Sequence, residues 1–101
     1  MTRSTHNPAY IAFLALLRAD RRASGMSQVQ IAEKLGNRQT FISKIENGDR
    51  RIDVIELLAY LDAAGVDAAD FVARLSARVR NLLRKDRKLA IRRRATAKAR
   101  R

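Results

Sequence analysis

Apolar residues recur at helical spacing in five separate stretches of the chain, and polar or glycine-containing breaks divide them. Tyr10, Leu14 and Leu17 fall on one face, with Arg21 in the same register and Ile11 and Phe13 widening the stripe. Asn7-Pro8 offers an N-cap followed by proline at the first helical position, and Gly25 lies past an expected end near Ser24. A second helix is predicted from about Ser27 to Leu35, with Val29, Ile31, Ala32 and Leu35 apolar and with Ser27 and Gln30 at capping-box spacing. A third is predicted from about Arg38 to Asn47, burying Phe41 or Ile42 together with Ile45, and Asn47-Gly48 is a common helix end. Between the two stands Gly36, where the backbone needs a residue that tolerates positive φ.

Asp53 and Glu56 repeat the capping-box spacing and open a fourth helix, whose Val54, Leu57, Leu58 and Leu61 share a face and which Gly65 ends. Asp67, with Asp70 three residues on, opens a fifth. There Val72, Leu75, Val79, Leu82 and Leu89 alternate spacings of three and four, a heptad-like stripe that Asp86 interrupts and that is too short for a coiled coil. Beyond Ile91 the sequence RRRATAKARR has no apolar face, so a mobile tail is expected. No stretch alternates with a period of two, and the expected fold class is all-α.

Composition narrows the chemistry. A chain of 101 residues, 47% of them apolar, suits one domain with a modest core. The absence of Cys excludes disulfides and thiolate metal sites. The single His6 lies in a polar lead-in and is expected to be solvated, so no metal and no cofactor is expected. With one His, no Cys and no paired carboxylates in an apolar setting, an enzyme is not expected. No apolar run approaches a membrane span and no signal-peptide layout is present, so the expected location is cytoplasmic, nucleoid-associated through DNA.

The net charge of +12 is unevenly placed. Residues 1–66 hold nine Lys/Arg against seven Asp/Glu, whereas residues 67–101 hold thirteen against three. A polyanionic partner follows, bound through geometry by the first part and through charge by the last. Two short helices around a tight turn in such a chain suggest a helix-turn-helix that reads double-stranded DNA. RNA is disfavoured, since no aromatic platform is present to stack bases.

The residues from Gly25 to Gly48 sharpen this. Gly25, Met26, Ser27-Gln28, Ile31-Ala32, Gly36 and the ending Ile42-Ser43-Lys44-Ile45-Glu46-Asn47-Gly48 resemble the Xre/Cro-repressor family of bacterial and phage regulators. The resemblance covers roughly residues 8–75. It implies a five-helix lambda-repressor-like domain over residues 1–75, followed by a basic helical extension and tail over 76–101. It makes the third helix the recognition helix, with Arg38, Gln39, Thr40, Ser43 and Lys44 facing bases. Gln28, Asn47, Arg50 and Arg51 would then grip phosphates. Arg21 and Glu46 match family positions that form a structural ion pair.

Arg38 departs from the family pattern, which has Ser or Thr there as N-cap. Arg cannot cap. Either Asn37 caps and the helix starts one residue earlier, or Arg38 is tolerated because DNA compensates its charge. The basic segment from Arg78 has three readings: non-specific phosphate binding, a solvated helix end, or a protein contact that includes dimerisation through Leu75, Val79 and Leu82. The expected function is a sequence-specific transcriptional regulator, a repressor binding a palindromic operator as a homodimer. The alternatives are the antitoxin of a toxin–antitoxin pair, with the toxin as protein partner, and a restriction–modification or mobile-element controller.

Overall fold

A computed structural model describes the backbone of residues 7–99 and the side chains of residues 7–84. His6, the last two arginines and the side chain of Leu89 lie outside the described residues. Five helices follow in order: α1 Pro8–Ala23, α2 Gln28–Lys34, α3 Gln39–Glu46, α4 Val54–Ala64 and α5 Ala68–Ala99.

Local chemistry sets the helix starts. The Asn7 side chain accepts the Ala9 N–H, and Pro8 occupies the first turn. Both capping boxes form in full: Ser27 with Gln30 opens α2, and Asp53 with Glu56 opens α4. Asp67 accepts the Asp70 N–H at 2.8 Å and opens α5.

The core gathers Phe13, Leu14, Leu16 and Leu17 of α1, Ile31 and Ala32 of α2, Ile42 and Ile45 of α3, Tyr60, Leu61, Ala63 and Ala64 of α4, and Phe71 of α5. Of the two candidates in α3, Ile42 is fully buried, while Phe41 packs half-buried at the margin. Phe13 meets Phe71 edge to face at 6.1 Å between centroids. Arg74 reaches from α5 to the Asp20 carboxylate on α1 with two bonds of 2.8 and 2.6 Å.

Three stripes turn differently from expectation. In α4 the buried face is Tyr60, Leu61, Ala63 and Ala64, while Val54 and Leu58 are exposed. The small alanines admit close neighbours, and the Tyr60 hydroxyl has a buried partner described below. In α5 the residue aimed inward is Phe71 rather than Val72. Ile11 and Val29 are likewise exposed. The heptad-like stripe is used within the molecule, since Leu75 packs on the core and Val79 is buried.

The sequence beyond Ile91, expected as a mobile tail, continues α5 to Ala99. Lys, Arg and Ala are strong helix formers, so propensity prolongs a helix already nucleated by its packed first turns. At 32 residues, α5 is about 48 Å long, and it projects from a molecule with principal extents of 56 × 27 × 19 Å. Among the described residues no helix is long and apolar enough to cross a membrane.

Candidate nucleic-acid interface

α2 and α3 pack against each other around a turn in which Gly36 adopts φ +62°. A side chain there would be strained by that backbone conformation, although the space around it is open. The turn sends α3 across α2 with Ile42 and Ile45 inward. Gln39, Thr40, Ser43, Lys44 and Asn47 then line the opposite face, at spacings of one, three, one and three. Gln39, Thr40, Lys44 and Asn47 are exposed and Ser43 is half-buried. The apolar anchors and the polar readers thus divide one eight-residue helix lengthwise.

Glu46 holds this helix in place. Its side chain is fully buried, and its carboxylate accepts bonds from Arg21 Nε at 2.7 Å and Nη2 at 2.9 Å, from Tyr60 Oη at 2.6 Å and from Gln28 Nε2 at 3.1 Å. Its backbone carbonyl accepts from Arg18 Nη1 at 2.5 Å. One residue of α3 is thereby tied to α1, α2 and α4. Burial pushes the Glu46 carboxyl upward, but the Arg21, Tyr60 and Gln28 donors outweigh it and hold the pKa below the ordinary carboxylate value. Burial, reinforced by the bond to Glu46, raises the Tyr60 phenol. The bond to Glu46 raises Arg21. The structure therefore forms the Arg21–Glu46 ion pair, and among the described residues no buried side-chain polar atom lacks a partner.

The same network reaches the reading face. Gln28, one bond away from Glu46, accepts from Gln39 Nε2 at 2.6 Å. A residue expected at phosphates and one expected at bases are joined, and both are positioned from the buried carboxylate. Asn47 donates to Ser43 Oγ at 3.3 Å, which pairs two more of the expected DNA-facing residues.

Arg38 is the N-cap of α3 and makes no side-chain cap bond. Asn37 does not cap in its place: its side chain accepts the N–H of Arg38 itself at 2.8 Å, and the helix begins at Gln39. The Arg38 side chain is exposed beside the readers.

The loop cations are less free. Arg50 forms a two-bond pair with Glu56 at 2.9 and 2.8 Å and lies over the Phe41 ring at 4.7 Å. Arg51 lies over the Tyr10 ring at 4.9 Å and has no carboxylate partner among the described residues. Tyr10 in turn accepts the Ile52 N–H at 3.1 Å, so the loop after α3 is pinned to α1. Two residues of the network are not evident from the sequence, Arg18 and Tyr60. Arg18 carries no signal, but a tyrosine inside an apolar helix face is a hint, because a buried phenol needs a partner. Among the described residues no cluster of His, Cys, Asp or Glu has the makings of a metal site.

The helix-turn-helix family profile matches residues 17–71. An XRE-family like protein from Pseudomonas syringae pv. tomato str. DC3000 is similar in structure, with a TM-score of 0.69 and 40% identity over 73% of this chain and 90% of that one. No curated protein matches. With more than half of its length in the family profile and a solved relative at 40% identity, the chain belongs to the Xre family of helix-turn-helix, DNA-binding transcription regulators.

Proposed function

We propose that this regulator is a repressor that binds a palindromic operator as a homodimer, with α3 in the major groove of each half-site. The observation that carries the reading is the division of α3, with Gln39, Thr40, Ser43 and Lys44 outward and Glu46 locked beneath them. Gln39 suits adenine, Lys44 and Arg38 suit guanine, and the Thr40 methyl suits thymine. Gln28, Asn47 and Arg51 set register on the phosphates, and Arg50 joins them if DNA competes it away from Glu56. Two-fold pairing is supported by the reach of the reader, since an eight-residue helix spans about 12 Å and covers only part of an operator.

In this reading residues 1–75 are the domain that reads sequence, and the extension over 76–101 adds affinity through phosphates. Twelve Lys/Arg against one Asp from Arg78 onward support it, because neutralised phosphates release counterions whatever the base sequence. The test is a gel shift on the DNA upstream of the protein's own gene, with random competitor and a salt series. A shift that survives competitor and weakens steeply as salt rises is expected. Equal affinity for random DNA would remove the sequence-specific reading.

A further inference from the structure

The α4 surface is unlike the rest of this basic molecule. Val54, Ile55 and Leu58 are 69%, 73% and 45% exposed, three large apolar side chains within five residues of one helix. From Ile52 to Ala73 the chain carries five acidic residues and no Lys or Arg. A shallow groove of about 180 Å³ runs beside the patch, lined by Leu35, Asn37, Phe41, Glu56 and Ala59. The other exposed apolar residues are scattered. On α5, Val72 and Leu83 are separated by Ser76 and Arg80, with Arg84 beside them, so pairing that face would set arginines against arginines.

We infer that the exposed face of α4, Val54, Ile55, Leu58 and Asp62, is the contact with a second copy of this chain, formed about a two-fold axis near Leu58. This deepens the homodimer reading above and rests on it. In a two-fold contact each copy presents the same patch, so the face must complement itself. Two antiparallel α4 helices crossing at Leu58 place Leu58 on Leu58 of the other copy and Val54 opposite Asp62. Each exposed Asp62, which makes no ion pair among the described residues, then lies at the N-terminal end of the other α4. The partial positive charge of that helix end and the nearby Arg50 and Arg51 favour it. A hydrophobic centre closed at both ends by opposite charge is self-complementary, and it excludes the cationic surfaces that would repel.

The position also suits the DNA interface. Residues 47–53 separate α4 from α3, and α4 leaves the reading faces of both α2 and α3 uncovered. The patch is small against the roughly 800 Å² per partner of a standard interface. The contact is therefore weak between free chains and is completed when two copies occupy adjacent half-sites.

The chain contains no Cys, so a single introduced one reports unambiguously on the axis. Full-length Leu58→Cys, oxidised in the presence of a palindromic operator, is expected to cross-link to a covalent dimer, while Val29→Cys on exposed α2 stays monomeric. The double variant Ile55→Lys/Leu58→Lys is expected to bind an isolated half-site within about twofold of wild type. It loses about 100-fold on the palindrome, the low end of what coupling two binding events gives. Circular dichroism of the variants checks that the fold is retained. Failure of Leu58→Cys to cross-link, or unchanged palindrome affinity in the double variant, overturns the α4 axis and gives this face to a different protein. Loss of wild-type half-site binding would instead strike the DNA-reading proposal itself.

Discussion

The α2–α3 unit and the projecting half of α5 are both polar surfaces on helices, yet they are built on opposite terms. In α3, the outward residues sit over inward anchors, and Glu46 alone is bonded to Arg21, Gln28 and Tyr60. The α5 projection has high charge and few anchors: Val79 is the last buried residue described, and Arg80 and Arg84 are exposed. The first surface specifies where each donor stands, which is what discrimination between bases demands. The second specifies only that positive charge is present, which suffices for phosphates.

The comparison breaks most severely at Glu46. Replacing it with Ala leaves Arg21 buried without its counter-charge and should cost about 3–5 kcal/mol of unfolding free energy, measured by urea denaturation. No single substitution at an exposed arginine of α5 should exceed about 0.5 kcal/mol in the same assay. Tyr60→Phe removes one donor to the buried carboxylate, and a loss of about 1.5–3 kcal/mol is expected.

Binding separates the regions next. Gln39→Ala should cost about 1–3 kcal/mol at its cognate base pair and flatten preference there, leaving the salt dependence alone. Truncation after Arg84 keeps Val79 and the packed part of α5, and should do the reverse. It should weaken binding to all sequences alike and reduce the slope of log K against log salt by about 0.9 for each phosphate no longer neutralised. Equal slopes for the truncated and full chains would remove the projection from the interface.

The smallest effect sharpens the first. Because the Glu46 pKa is depressed in the folded state, its contribution to stability is complete above the ordinary carboxylate value and fades as pH falls through the folded one. Stability should therefore decline in acid, with a shallower decline in Glu46→Gln, followed by thermal unfolding at a series of pH values. Equal acid slopes in the two proteins would mean that other carboxylates carry the decline.

Legibility in the sequence follows the range of the interaction. The capping boxes at Ser27 and Asp53 are readable because donor and acceptor lie three residues apart. The division of α3 is readable because Ile42 and Ile45 leave one face without apolar residues. The inner face of α4 is not, since Val54, Ile55, Leu57, Leu58, Tyr60 and Leu61 populate more than one face, and periodicity alone cannot choose between them. The choice is made across the core, where the Tyr60 hydroxyl meets Glu46, 14 positions away. The end of α5 is hidden for a different reason: propensity and a packed start prolong that helix where no amphipathic stripe marks it. At Arg38 the chemistry of the side chain is enough to foresee the missing cap bond, but not that Asn37 serves the Arg38 N–H instead.

The carboxylate beneath α3 has a consequence for how such a regulator changes its target. Everything that fixes the helix, from Ile42 and Ile45 to Glu46 and its donors, lies on the inner side, and the residues proposed to meet DNA lie on the outer side. The fold is thus indifferent to most of its own message. Lineages that exchange Thr40, Ser43 or Lys44 can wander from one operator to another on an unchanged chassis. Gln39 is less at liberty, because through Gln28 it is still tethered to the machinery below.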